Sequence, residues 1–259
     1  MTEALNFLFT NRLPRIALSR FMGWFSKLEL PLLTPLALLA WRTFADLHLE
    51  EARKARFTSI QDCFTRELKP GARPFDPDPS VLASPCDAIV GACGHVEAGK
   101  AFQIKGSPYT LEDLLLDEIL VSRYGQGTYA TLRITSTMYH RFHAPHACRL
   151  GAVTRIAGDR WNVNPPALKR VEKLFCKNSR AVVPIELEAS GHPVLLVPVA
   201  AILVGGIRVH ERLRFAKGEE MGWFEHGSTI VVLAPPGFSI LSFPGKGILA
   251  GQPLMKISS

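Results

Sequence analysis

The stretch Phe224-Glu225-His226-Gly227-Ser228-Thr229-Ile230-Val231-Val232 is polar and tight in its first half and β-branched in its second. Its continuation to Leu233 reads as a buried strand. Ser228, a small nucleophile, therefore stands where a turn enters a strand. Gly227 leaves the preceding carbonyl unhindered and tolerates strained backbone geometry. A serine hydroxyl beside its own preceding peptide bond can attack that bond if a base takes its proton and donors hold the oxyanion. Gly-Ser-Thr is also an ordinary turn before a strand, so the rest of the chain has to separate the two readings.

Other short apolar runs recur upstream, divided by Gly, Pro and polar turns: Ala88–Val90, Tyr129–Ile134, Val182–Leu187 and Val194–Val204. This is a β-dominated pattern. A helix is predicted at 110–120, with Thr110 as its cap and Glu112 and Asp113 in its first turn. Another is expected near 166–174, and a charged helical segment at 50–56. The Pro/Gly/Asp-rich stretch 70–80 reads as a linker or an extended crossing segment. The expected fold class is α+β, with a β-rich catalytic domain over 67–259 behind a helical, membrane-associating region over 1–66.

Hydrophobic residues make up 47% of the 259, enough for a sizeable core and against wholesale disorder. A net charge of +7 suits an anionic partner. No zinc-finger spacing and no arginine-rich tract points to nucleic acid. Cys63, Cys86, Cys93, Cys148 and Cys176 are scattered and odd in number, which speaks against a disulfide framework and for a reducing compartment. Residues 1–49 interleave aromatic and aliphatic residues with Arg12, Arg15, Arg20 and Lys27, a composition suited to a membrane interface. The uncharged run from Pro31 to Trp41 is too short to span a bilayer, which takes about 20 residues, and is interrupted by Pro31 and Pro35. No signal-peptide order of charge, apolar run and cleavage site is present. The expected location is peripheral, at a membrane surface.

Tyr139-His140-Arg141-Phe142-His143-Ala144-Pro145-His146 follows the strand at 129–134 and holds three histidines. The H-E-x-x-H spacing and a clear third ligand are missing, so acid–base work is favoured over a zinc site and no metal is expected. His146 reads as a hydrogen-bonding loop residue. Ser84-Pro85-Cys86-Asp87-Ala88 places one carboxylate after a turn, either as a turn residue or as the orienter of an imidazole.

Taken together these motifs resemble the phosphatidylserine decarboxylases, pyruvoyl-dependent enzymes that make phosphatidylethanolamine. The resemblance rests most on Tyr139-His140-Arg141-Phe142-His143 with Pro145 and on Gly227-Ser228-Thr229. Further matches are Phe64 to Pro74, Pro85-x-Asp87, Lys105-Gly106-x-x-Tyr109-Thr110-Leu111, Val163-Asn164, Val204-Gly205, Lys217-Gly218-Glu219-x-Met221-Gly222-x-Phe224 and Gly251-Gln252-Pro253-Leu254. The resemblance implies self-cleavage between Gly227 and Ser228 into a large β chain (1–227) and a small α chain (228–259). Ser228 would become a covalent pyruvoyl group, the cofactor that forms a Schiff base with the serine amine of phosphatidylserine. By the same analogy His143 is the base for Ser228, Asp87 orients it, and His140 is the candidate acid that protonates the carbanion left by carbon dioxide. The implied partners are phosphatidylserine, an anionic membrane surface and the two cleaved chains of the protein itself. The oligomeric state is open, with a homodimer of the αβ unit as one option.

The sequence departs from the family pattern in three places. Ala88 follows Asp87 where glycine is usual, Met138 precedes the Tyr-His-Arg motif where an acidic residue is common, and Asn178-Ser179-Arg180 stands for Asn-Glu-Arg. Two rival readings are a serine hydrolase using Asp87, His143 and Ser228 without self-cleavage, and a non-enzymatic β-rich carrier-like domain. The absence of a G-x-S-x-G elbow counts against the common hydrolase form.

Overall fold

The computed structural model describes residues 15–43, 46–104, 107–201, 206–225 and 228–258. It is α+β with strands predominating, as expected. Five long strands, numbered in chain order, form the middle of a nine-stranded antiparallel sheet: β1 (Ala88–His95), β2 (Thr128–Ile134), β3 (Arg180–Leu187), β4 (Pro193–Ala200) and β5 (Ser228–Ala234). In space they run β3-β4-β5-β2-β1, so β5 lies at the centre, bonded to β4 on one side and β2 on the other. Ile230, Val231, Val232 and Leu233 are fully buried. A strand covered on both faces reads as a continuous apolar run rather than an alternating one, which is why this run is the clearest strand in the sequence. Burial of each such side chain is worth about 1.5–3 kcal/mol.

Short helices cover one face of the sheet. Thr110 caps Leu111–Leu115 by accepting from the Asp113 N–H at 3.2 Å. The helix expected to run to 120 breaks, because Leu116 turns left-handed (φ 54°) and Asp117 caps a second helix, Glu118–Tyr124. Near 166–174 there are likewise two helices, Pro165–Arg170 and Leu174–Lys177. Gln103, fully buried on the hairpin of Lys100–Ile104 with Ser107–Thr110, stitches both to the sheet face. Its amide donates to the Leu168 and Val171 carbonyls (2.6 and 2.9 Å) and accepts from Leu174 N–H (2.8 Å).

At the N-terminal end are α1 (Arg15–Phe25) and α2 (Leu33–Arg42). Pro35 does not break α2. It sits in the first turn, where a backbone N–H has no helical acceptor to lose. The helix expected at 50–56 is absent beyond a single turn, Leu49–Glu51. There the backbone is drawn into strand-like pairing: Arg53 N–H bonds to Glu67 O, Lys69 N–H to Glu51 O, and Ala52 bridges Leu68. The stretch 70–80 is a crossing segment. Asp76 N–H bonds to Gly251 O, and Gly251 (φ 91°) passes so close to Pro74 that a Cβ would strike its carbonyl. All five cysteines are free thiols. Among the described residues no helix is long and apolar enough to cross a membrane.

Candidate active site

A small second sheet carries the histidine motif to the start of β5. Arg141–His143 pairs with Glu220–Phe224, which in turn pairs with Ile207–Val209. The Phe224 N–H donates to the His140 carbonyl at 2.9 Å, so His140 lies across from the residue four before Ser228. On its other side the histidine segment runs against the Asp87 segment: His143 N–H bonds to Pro85 O (2.8 Å) and Ala83 N–H to Pro145 O (3.0 Å). Two long-range pairings thus bring motifs distant in sequence to one place.

His143 is held at both ring nitrogens. Nδ1 is 2.9 Å from the Gly218 carbonyl, and Nε2 is 3.0 Å from the Tyr139 hydroxyl. A carbonyl can only accept, so Nδ1 carries the proton and Nε2 of the neutral ring accepts from Tyr139. Burial lowers the His143 pKa, while the Gly218 bond and the charges of Glu220 and Asp87 act in the other direction. The imidazole is thereby neutral near pH 7 with its lone pair on Nε2, the form a general base needs. Burial pushes the Tyr139 hydroxyl pKa up, keeping it a donor. Gly218 has to be glycine: its φ is 84°, and a Cβ there would lie 2.8 Å from the Phe75 ring.

Asp87, 3% exposed, is gripped by Arg73, which donates Nε to Oδ1 (2.8 Å) and Nη2 to Oδ2 (2.6 Å); the Ala250 N–H adds a bond to Oδ1 (2.9 Å). Arg73 also forks onto Glu51 from the N-terminal part at 2.8 and 3.1 Å. Among the described residues no hydrogen bond or ion pair joins Asp87 to His143. The carboxylate reaches the imidazole by its charge alone, and the Gly218 carbonyl holds the ring orientation. A cavity of about 280 Å³ opens here, lined by Arg73, Phe75, Tyr139, His143, Gly218 and Glu220 among others.

His140 is fully buried, with Nδ1 2.7 Å from the Met138 carbonyl and its ring edge-on to Phe64 at 5.1 Å. Its neutral tautomer therefore carries the proton on Nδ1. Ser228 is described by its backbone, paired with Ala200 of β4 and Ile134 of β2. Gly227, and so the Gly227–Ser228 bond, lies outside the described residues, as do residues 1–14, Lys105-Gly106 and Val204-Gly205.

Sequence reasoning missed Arg73, Tyr139 and Gly218 as members of the site, although all three stand inside motifs it singled out. Arg141 explains another part of the motif. It donates to both Glu220 oxygens (2.9 and 2.8 Å) and to the Thr65 carbonyl (2.9 and 2.7 Å), tying the histidine strand to the N-terminal part. Glu220 thus supplies a carboxylate near the histidines where Met138 does not.

A family model described as phosphatidylserine decarboxylase matches residues 60–256. A phosphatidylserine decarboxylase proenzyme of Chromobacterium violaceum is 34% identical over 92% of each chain. Proenzymes of the same description from Anaeromyxobacter sp. (strain K) and Brevibacillus brevis are 34% and 31% identical, covering 93% and 94% of this chain.

Proposed function

Because the chain belongs to the phosphatidylserine decarboxylase family, we propose that it converts phosphatidylserine to phosphatidylethanolamine and carbon dioxide after cleaving itself between Gly227 and Ser228. The observation that carries this reading is the neutral His143, its Nε2 lone pair turned to the Tyr139 hydroxyl at the wall of an open cavity, with the Asp87 charge acting on the ring. The relatives' shared designation as proenzymes supports a processed mature form.

In processing, His143 Nε2 takes the Ser228 hydroxyl proton, and Ser228 Oγ attacks the Gly227 carbonyl as the Gly227–Ser228 C–N bond breaks and the freed nitrogen takes a proton; β-elimination then releases the Gly227 carboxylate, and hydrolysis of the resulting imine releases ammonia. Tyr139 yields its place on Nε2 as that proton arrives. The Asp87 charge, fixed by Arg73 and the Ala250 N–H, favours the imidazolium that results. The pyruvoyl group left at residue 228 supplies a keto carbon for the substrate amine and a sink for the electrons released with carbon dioxide. The residues suit such a group: position 228 is backbone-bonded to strands on both sides, which fixes the new chain end. His140, its Nδ1 proton committed to Met138 O, serves as the acid that returns a proton to carbon from Nε2 when the ring is doubly protonated.

The membrane is met through α1, α2 and the turn between them. Phe21, Trp24, Leu32, Leu33, Leu36 and Leu39 are exposed there, and Arg20, Lys27 and Arg42 provide positive charge. This pattern suits peripheral attachment to an anionic surface, on the cytoplasmic side of the inner membrane. Intact-mass analysis of purified protein tests the processing step. Two chains are expected, the smaller of about 3.5 kDa as its share by length of 28.6 kDa, with carbon dioxide released from serine phospholipids. A single uncut chain with full decarboxylase activity would overturn it.

A further inference from the structure

Arg133 of β2 and Thr229 of β5 are direct cross-strand partners. Their side chains therefore leave the same face of the sheet, with Cβ atoms about 5 Å apart. Thr229 is fully buried, and its hydroxyl has no hydrogen-bond partner among the described residues. Arg133 is half-buried, its pKa is lowered by burial alone, and among the described residues no hydrogen bond or ion pair reaches its guanidinium.

The other arginines buried in and around the site are occupied. Arg66 donates to the Leu47 and Thr137 carbonyls, Arg73 to Asp87 and Glu51, Arg141 to Glu220, and Arg180 to the Leu114 and Asp113 carbonyls. Arg133 and Thr229 together offer six donor hydrogens and lack an acceptor, although buried polar groups are ordinarily paired. An anion with several oxygens satisfies both. Their position says which anion: Thr229 directly follows Ser228, so the two donors stand one residue from the chain end that cleavage would create, on the sheet face opposite to Ile134.

The geometry points to Arg133 and Thr229 as the subsite that binds the phosphodiester of the serine phospholipid. This rests on the decarboxylase reading above. The substrate has a second anion, its carboxylate, and energetics choose between them. Decarboxylation drains charge from the carboxylate, so a cation held against it stabilises the ground state more than the transition state and slows the reaction. The phosphodiester keeps its charge throughout, and a planar guanidinium matches its oxygens bidentately. A contact of that kind is the same in both states and appears in KM rather than kcat.

Arg133→Met, Arg133→Lys and Thr229→Val in the full-length protein test the assignment. Processing is read on a denaturing gel, kinetics on phosphatidylserine in neutral detergent micelles, and the subsite alone by 31P line broadening of glycerophosphocholine, a phosphodiester without a primary amine. Arg133→Met is expected to be processed, to raise KM about tenfold or more with kcat within a few-fold, and to abolish the broadening. Arg133→Lys restores part of the affinity, and Thr229→Val shows a smaller rise in KM. O-octyl-L-serine keeps the amine and carboxylate but lacks phosphate, so its KM should respond at least fivefold less to Arg133→Met.

An unchanged KM, undiminished 31P broadening, or an equal rise in KM on both substrates overturns the assignment, the last by giving Arg133 to the carboxylate. If Arg133→Met is not processed, Arg133→Lys and Thr229→Val carry the same comparison. Wild-type protein that broadens glycerophosphocholine but decarboxylates no serine lipid would sink the decarboxylase reading and leave the anion site standing.

Discussion

The Tyr139 hydroxyl and His143 Nε2 stand 3.0 Å apart, with the Gly218 carbonyl on the opposite side of the ring. The residue that would act as base is thus occupied at its lone pair by a displaceable donor. Tyr139→Phe removes that donor, which favours the neutral imidazole, so the pKa of His143 should rise toward the ordinary value. Processing of the variant is expected to need a higher pH for its half-maximal rate than wild type does. A pH–rate profile of cleavage from freshly refolded proenzyme measures this, and an unshifted or downward-shifted midpoint counts against it.

The same histidine makes stability depend on pH with a definite sign. Burial holds its folded pKa below the ordinary 6.5, so the unfolded chain takes up the proton first as pH falls. The stability associated with this group is present above about 6.5 and declines as pH drops below it toward the folded value. Urea unfolding of Ser228→Ala, which would lack the nucleophile for the proposed processing, should lose stability between pH 6.5 and 5. His143→Gln in that background should flatten the trend.

Arg73 and Asp87 are nearly inaccessible, their side chains 9% and 5% exposed. Arg73→Met would leave a buried carboxylate without its cation and should cost about 3–5 kcal/mol, whereas replacing both, Arg73→Met with Asp87→Asn, should cost less than the single change. Chemical denaturation of the two variants in the Ser228→Ala background decides this. Asp87→Asn with Ser228 intact should process slowly, since it removes the charge that favours the imidazolium.

The two histidines should separate by step. His143→Ala is expected to remain uncleaved apart from slow leakage, because a positioned base contributes about 10²–10⁴-fold. His140→Ala is expected to be cleaved and to turn over lipid slowly. Cleavage on a gel beside the decarboxylation rate of each variant reads both. Normal processing of His143→Ala with a block in His140→Ala would mean the roles are reversed.

Membrane contact should depend on side chains that are largely exposed. Trp24→Ser with Leu36→Gln and Leu39→Gln changes residues 59–60% exposed, so stability should move by no more than about 0.5 kcal/mol per site. Binding to anionic liposomes in a sedimentation assay should fall severalfold. Wild-type binding should weaken with salt, since charges are screened within about 8 Å at physiological ionic strength. Co-sedimentation equal to wild type would show that the surface lies elsewhere.

Much of the fold was legible because its signals are local. The run from Ile230 to Leu233 announces a strand covered on both faces, and Thr110 with Asp113 announces a helix start. The segment at 50–56 misled because its helical charge pattern lost to pairing with Glu67 and Leu68, partners its own sequence does not reveal. The site divides the same way. Tyr139, His140 and His143 belong to one motif and can be read there. The grip of Arg73 on Asp87 depends on a crossing segment placed by Gly251, far along the chain. A carboxylate near a histidine suggested a hydrogen bond, and only the fold reveals an arginine holding that carboxylate first.

The placement of β5 at the middle of the large sheet bears on how such a protein can be handled. A cut ahead of Ser228 would release a 32-residue piece whose strands are spread through the molecule. β5 lies between β4 and β2, Gly247–Ile248 rests on β1, and Pro253–Ile257 borders Val81–Ala83. The piece could leave only by dismantling the sheet, so the nicked form should stay together without any covalent link. Once denatured, it would have to reassemble from two molecules instead of one, at a rate set by concentration and with a sheet missing its central strand exposed to aggregation meanwhile. The uncut chain is the form able to renature from dilute solution. The mature form would be characterised by a lifetime rather than by an equilibrium constant.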